Sequence, residues 1–288
     1  MSRFHGAWLR LREPLDAVSR RHDIIETLAQ VMPQRPIRVT DLATGTAANL
    51  RYLSPRLGGA QTWCLIDHDQ ALLDAIPARL AEWARDHGAE IRDTGEELLI
   101  DGPDLQCRVR RVCADLAASL QAIDLPQRSL VSAAALLDLV SDAWLQALAQ
   151  RCLSARATVL FALTYDGRMS FEPRDPQDET VIKLVNWHQL RDKGFGPALG
   201  PTAGSRTVEV FERLGYVIAS ARSDWCVEPQ DVALQEALLG GWLTAAVEVA
   251  PEQSSALEDW AERRRRHVTR GRSTLTVGHV DILGYLTD

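Results

Sequence analysis

The chain has 288 residues, 46% hydrophobic and 25% charged, with a formal net charge of −7 at pH 7. This suits one large α/β domain, or one domain with a modest addition, and the acidic balance excludes the basic footprint of a nucleic-acid binder. Residues 1–11 lack the apolar core of a signal peptide, and no apolar run reads as long enough to span a membrane. The five cysteines, Cys64, Cys107, Cys113, Cys152 and Cys226, are odd in number and form no CxxC pair. They are expected to be thiols of a chain held in a reduced cytoplasm. The run Arg263-Arg264-Arg265-Arg266, mixed with Glu258, Asp259 and Glu262, reads as a solvated helix face. No internal repeat or low-complexity linker is present, and nothing indicates an oligomeric state.

Taken in order, Pro14 opens a predicted helix that runs to about residue 31, with Leu15, Val18, Ile25 and Leu28 on one face. Residues 1–35 are thus expected to form a helical cap on a domain spanning 36–288. Residues 37–53 then read as a strand, a turn of small residues, Ala43-Thr44-Gly45-Thr46-Ala47, and the start of an amphipathic helix. Such a turn admits a ligand close to the backbone, and the helix start offers free N–H groups. A second strand, 62–66, closes in Asp67, 22 residues after Gly45 and near the spacing of a ribose-binding acid. Asp69 is a natural N-cap for the helix carrying Leu72, Ile76, Leu80 and Trp83, which leaves Asp67 free for other work. Extended segments follow at 90–92, 97–100 and 105–112, with an Asp101-Gly102 turn, and the last runs into Asp115.

Residues 129–138 form the next strand and its exit, where Ala133, Ala134 and Ala135 leave room for a ligand. Ser141 or Asp142 caps a helix, 157–164 is a further strand, and 165–169 is expected as a loop. From 171 to 206 the αβ alternation is interrupted. Pro173 and Pro176 lead into a helix over 179–192, and the Gly/Pro-rich stretch 193–201 makes a shaped loop. A helix over 207–214 stops at Gly215, and a strand covers 216–222. Pro229 opens a helix with Leu234, Leu238, Trp242 and Ala245 in line, and another covers 254–268. A hairpin-like strand pair at 274–280 and 281–286 closes the chain.

These residues resemble the class I S-adenosylmethionine-dependent methyltransferases. Their first motif runs acid-x-Gly-x-Gly-x-Gly, with a second acid closing the next strand. Asp41, Gly45 and Asp67 match, while Ala43 and Ala47 stand where two glycines usually are. The resemblance covers roughly 38–286. It implies an α/β, Rossmann-like, seven-stranded and mostly parallel sheet with an antiparallel last strand, helices on both faces and an N-terminal helical extension. It implies S-adenosylmethionine as cofactor and a small-molecule substrate. Asp41, Ala43, Thr44, Gly45, Ala47 and Asn49 would surround the methionine moiety. Asp67, followed by His68, would accept the ribose hydroxyls. Asp115 and the Leu116 backbone would meet adenine, and Ala134 the methionine amino group. In open α/β sheets ligands bind outside the carboxyl ends of the strands, where all these residues fall.

The acceptor side is less determined. No Asn-Pro-Pro-Tyr or Asp-Pro-Pro-Tyr run follows the fourth strand of the pattern, which argues against an amino-directed DNA or protein-glutamine methylase. The segment 171–206 is expected to form a substrate-side wall or lid. His188 is the candidate general base, because its unperturbed pKa lies near neutrality, with a satisfied core histidine as the alternative. Tyr165, Asn186, Gln189, Lys193 and Arg206 are the candidate substrate contacts. No HExxH, zinc spacing or P-loop occurs, so no metal is expected. Two other readings share the strand, turn and acid. One is a nicotinamide-dependent oxidoreductase, although its G-x-G-x-x-G lacks a glycine two residues from Gly45 on either side. The other is a methyltransferase-like domain that binds without catalysis.

Overall fold

Strands buried on both faces need helices on both sides, and the apolar central strands of this chain meet that need. In the computed structural model residues 6–32 and 35–287 are described, so residues 1–5, 33 and 34 of the expected cap lie outside the described residues. β1 (Ile37–Leu42) sits centrally. β2 (Gly59–Asp67) lies parallel on one side of it and β6 (Leu130–Ala134) parallel on the other. β5 (Leu105–Cys113) extends the sheet beyond β2, and β7 (Thr158–Glu172) extends it beyond β6, both parallel. β10 (Thr274–Tyr285) pairs antiparallel with β7, and β8 (Val217–Arg222) antiparallel with β10. The order β5-β2-β1-β6-β7-β10-β8 is a seven-stranded, Rossmann-like and mostly parallel sheet with β10 antiparallel, as expected of the fold class. Three short strands enlarge it to ten: β3 (Glu90–Asp93) and β4 (Leu98–Gly102) in an antiparallel meander on β5, and β9 (Trp225–Val227) on β10.

Alternation along β1 feeds two cores. Ile37 and Val39 join a cluster with α2 (His22–Val31), α3 (Ala48–Leu57) and α4 (Gln70–Asp86), whereas Leu42 joins one with α6 (Asp142–Ser154) and α8 (Ala203–Arg213). A third cluster holds α7 (Asp178–Gln189), α9 (Val232–Val249) and α10 (Ser254–Thr269) against the far half of β7. Each fully buried Leu in these clusters contributes about 1.5–3 kcal/mol relative to exposure. The remaining helices are α1 (Gly6–Ser19) and the single turn α5 (Leu116–Ser119).

Several expectations are corrected. Pro14 lies inside α1 rather than opening a helix, and the expected single helix is two. The break falls where the Arg21 N–H donates to Asp281 Oδ2 at 3.0 Å, a tertiary partner replacing the helical one. Residues 165–169 are strand: Met169 pairs with Val277, and Arg168 is forked between Asp166 and Asp224. Residues 274–286 form no hairpin, because one long strand with irregularities near Gly278 and Asp281 serves both β7 and β8. α7 stops at Gln189 because Asp192 Oδ1 accepts the N–H groups of Gly194 and Gly196. The arginine run is no solvated face: Arg264 is fully buried on Asp178, and Arg263 and Arg265 pair with Asp175 and Glu236. α9 is long and apolar enough to cross a membrane, against the expectation of no such run. It places Leu234, Leu238, Leu239 and Ala246 in the third core cluster.

Candidate active site

The turn after β1 runs through three left-handed residues in alternation: Ala43 (φ 51°), Gly45 (φ 56°) and Ala47 (φ 63°). Two of them carry a Cβ, which costs on the order of 1–2 kcal/mol each. Tertiary bonds hold the turn. Thr44 N–H donates to the Ile66 carbonyl at 2.9 Å, and Ala47 N–H to the Thr44 carbonyl at 3.0 Å. Asp41, 1% exposed, closes it from below. Its Oδ2 accepts the Thr44 hydroxyl at 2.6 Å, and its Oδ1 accepts Asn49 Nδ2 at 2.6 Å and the Ser132 hydroxyl at 2.7 Å. Burial pushes the Asp41 carboxyl above its ordinary pKa, against those donors and the charge of Arg20. Asp41 thus fastens the turn to β6 and α3.

Asp67 ends β2 beside this turn and is 4% exposed. Its Oδ2 accepts the Gly45 N–H at 2.8 Å and its Oδ1 the Asp69 N–H at 3.0 Å, with His68 Nδ1 3.4 Å away. Asp69 caps α4 through the Ala71 N–H at 2.9 Å, as expected. A carboxylate has about four lone-pair sites, so Asp67 is aimed by two backbone donors with capacity for two more bonds.

An open cleft lies over these residues at the carboxyl ends of the parallel strands, with about 1150 Å³ of space that includes the solvent at its mouth. Its walls bring together Asp41, Ala43, Thr44, Gly45, Asn49, Asp67, His68, Leu116, Ala134 and Lys193 of the sequence candidates. Ala47 lies in the buried core instead. Asp115 is not in the wall. Its Oδ1 accepts the Ala117 N–H at 2.9 Å as the cap of α5, and its neighbours Ala114 and Leu116 face the cavity.

Most acceptor-side candidates are elsewhere. Tyr165 OH donates to Asn186 Oδ1 at 2.7 Å, and Asn186 Nδ2 to the Gly167 carbonyl, an internal brace. Arg206 pairs with Asp142 and Glu209 in a separate surface groove. The backbone of Gln189 lies against Gly200, and Gln189 is not in the cavity wall. His188 sits behind Lys193: Lys193 Nζ donates to His188 Nδ1 at 3.3 Å, and His188 Nε2 meets Glu248 at 3.0 Å. Burial and the Lys193 charge lower the His188 pKa, and burial likewise lowers that of Lys193.

Sequence reasoning missed Leu9, Arg12 and Asp16 on α1 and Leu136 and Leu139 after β6, which line the cavity together with Phe195 of the Gly/Pro loop. The spacing of Leu9, Arg12 and Asp16 puts them on one helix face and was a legible signal. Phe195 is held edge-on to Trp144 with ring centroids 5.4 Å apart. Leu199 N–H and Gly200 N–H donate to the Val140 and Asp138 carbonyls, which seats the loop on the exit of β6.

No family model matches the chain, and no curated protein matches it. Among solved structures it is similar to the YcgJ protein of Bacillus subtilis, at 13% identity over 93% of this chain and 100% of that one, TM-score 0.48. It is similar to a cyclopropane-fatty-acyl-phospholipid synthase-like protein of Lactobacillus casei, at 13% identity over 95% and 92%, TM-score 0.49. It is also similar to a SAM-dependent methyltransferase of Thiobacillus denitrificans bound to S-adenosyl-L-homocysteine, at 13% identity over 92% of each chain, TM-score 0.42. Likeness at this level carries no argument about the site, which rests on the geometry above.

Proposed function

We propose that the chain is an S-adenosylmethionine-dependent methyltransferase acting on a small molecule. One observation carries the choice among nucleotide cofactors. A pyrophosphate needs free N–H groups in the turn after the first strand. Here Thr44, Gly45 and Ala47 all donate inward, to Ile66, Asp67 and Thr44. A turn with these three N–H groups turned inward suits a cofactor without phosphates, and the aimed Asp67 carboxylate on its rim suits a ribose diol. This weighs against the nicotinamide reading.

S-adenosylmethionine supplies an activated methyl when bound. The chain must hold an acceptor lone pair in line with it and exclude water. Leu9, Leu136, Leu139 and Phe195 give the cavity an apolar wall for the second task. Lys193 is the polar side chain of segment 171–206 that reaches the cavity, and it supports reading that segment as the substrate-side wall. With His188 accepting its hydrogen bond at Nδ1, Lys193 is oriented from behind, so His188 acts as a positioning residue. A cytoplasmic setting fits the five free thiols. The test is calorimetric titration with S-adenosylhomocysteine and with NAD, followed by transfer of labelled methyl to a panel of small acceptors. Micromolar binding of the first alone is the expected result. Binding of NAD, or of neither, would overturn the reading.

A further inference from the structure

A second cleft, with about 730 Å³ of space, adjoins the cofactor cavity and shares Asp16, Ala48, Asn49 and Ala134 with it. It runs between α1 and α3 from Ala134, at the carboxyl end of β6, and Leu163, beside it on β7, to Arg56 on α3 and Trp83 on α4. Seven residues separate Asn49 from Arg56, about 10 Å at the helical rise of 1.5 Å per residue.

The charges of this cleft do not balance. Its acids are engaged. Glu13 pairs with Arg51 and Arg79 at 2.7 Å each. Asp16 accepts Arg12 Nε at 2.8 Å and Trp225 Nε1 at 3.0 Å. Its arginines are only partly engaged: Arg51 keeps Glu13 and the Thr46 carbonyl, and Arg20 has the most unmet capacity. Arg20 is 8% exposed and makes one hydrogen bond, NH1 to Asn49 Oδ1 at 2.6 Å, while its Nε and NH2 have no partner. Among the described residues no carboxylate lies within ion-pair distance of it, and its guanidinium lies 4.1 Å from the Tyr52 ring centroid. Arg51, 6% exposed, also leaves NH2 without a partner. Arg56 stacks on the other contact of Tyr52 at 3.9 Å and donates to a backbone carbonyl. A buried guanidinium with no carboxylate in contact is costly, and burial lowers the Arg20 pKa against the more distant charges of Asp281, Asp41 and Asp16.

We propose that this cleft is an anion subsite in which Arg20, supported by Arg51, receives a carboxylate or phosphate group of the methyl acceptor. The inference rests on the methyltransferase reading for the word acceptor, but the anion site stands on its own geometry. The cleft meets the cofactor cavity at Asn49 and Ala134, so an acceptor anchored in it would present its reactive end at the junction. Its length beyond Asn49 exceeds what the short amino-acid tail of the cofactor could fill.

The experiment uses the full chain, with inorganic phosphate and benzoate as probes at constant ionic strength. Thermal unfolding is followed with each probe, and S-adenosylhomocysteine affinity is measured separately by calorimetry. Phosphate or benzoate should raise the wild-type Tm, and Arg20→Gln should lose at least three-quarters of that rise. Arg20→Gln should bind S-adenosylhomocysteine within threefold of wild type. Arg20→Met, which keeps the apolar stem, serves as a second variant should Arg20→Gln fold poorly. An unchanged probe effect in the variants, or no probe effect in wild type, overturns the proposal. So does a tenfold or greater loss of S-adenosylhomocysteine affinity with probe binding intact, because Arg20 would then serve the carboxylate of the cofactor. Arg20-dependent probe binding without any S-adenosylhomocysteine binding would keep the anion site and sink the cofactor reading instead.

Discussion

Asp67 shows how one side chain can serve fold and ligand together. Its carboxylate closes the turn through the Gly45 N–H and still has lone pairs toward the cavity. Asp67→Asn keeps the size but replaces one acceptor with a donor facing an N–H group. Charged hydrogen bonds contribute about 1.5–3 kcal/mol each, so S-adenosylhomocysteine affinity should fall at least tenfold by calorimetry. Unchanged affinity would remove Asp67 from the site. At Gly45, an added Cβ would come within 3.0 Å of Leu9 Cδ1 and would hold φ 56°. Gly45→Val should therefore abolish cofactor binding while the far core stays folded. The converse holds at Ala43, also left-handed: Ala43→Gly relieves strain and should stabilise by about 1 kcal/mol in urea unfolding. Asp138 gives a pH signature. Burial pushes its pKa up to about 6, and its Oδ1 has no partner. Between the unfolded value near 4 and about 6, the folded chain holds a proton that the unfolded chain has released, so this group lowers stability as pH rises through that window. Asp138→Asn should match wild type near pH 4 and exceed it at pH 7 by on the order of 2–3 kcal/mol. An equal difference at both pH values would show that the carboxyl charge is not the cause.

Elements far from the cavity are tied by buried charge. The first turn of α7 is clamped to α10 by Arg264, with Trp260 Nε1 donating to the same Asp178 at 2.9 Å. Removing one partner strands the other. Arg264→Met should cost about 3–5 kcal/mol in urea unfolding, and adding Asp178→Leu should recover a large part of it. No recovery in the double variant would mean that Arg264 acts by packing on Phe171, which it overlies at 4.8 Å. α7 leads directly into the loop carrying Lys193 and Phe195, so this clamp also sets where the cavity wall stands.

At the scale of the molecule, cofactor binding and stability are linked. A ligand that binds only the folded chain stabilises it by about 2.7 kcal/mol at one hundred times its Kd. S-adenosylhomocysteine at that excess should raise the Tm measurably, and NAD at the same concentration should not. The β2, β1 and β6 junction explains why one site dominates. The chain leaves β1 toward β2 on one side and returns to β6 on the other, which opens a crevice over the central strand. α1 then roofs that crevice with Leu9, Arg12 and Asp16.

What the sequence alone determined was local. The strand, small-residue turn and helix at 37–53, the Asp69 cap and the acid closing β2 depend on neighbours within a few residues, and so were legible. A mostly parallel sheet also followed, because strand and helix alternate, whereas its antiparallel last strand came from the family resemblance. What tertiary structure decided was pairing across distance. Residues 165–169 became strand only because β10 lies beside them. Arg264 was buried only because Asp178 waits opposite, and Arg20 was left without a carboxylate in contact because Asp16, Asp41 and Asp281 accept from other donors. Ala43 and Ala47 stay left-handed because the Asp41 and Asp67 bonds to distant backbone and side chains outweigh their local cost. Composition and spacing register what a residue prefers. Only the packed chain settles which charge meets which, because those partners lie tens or hundreds of residues apart.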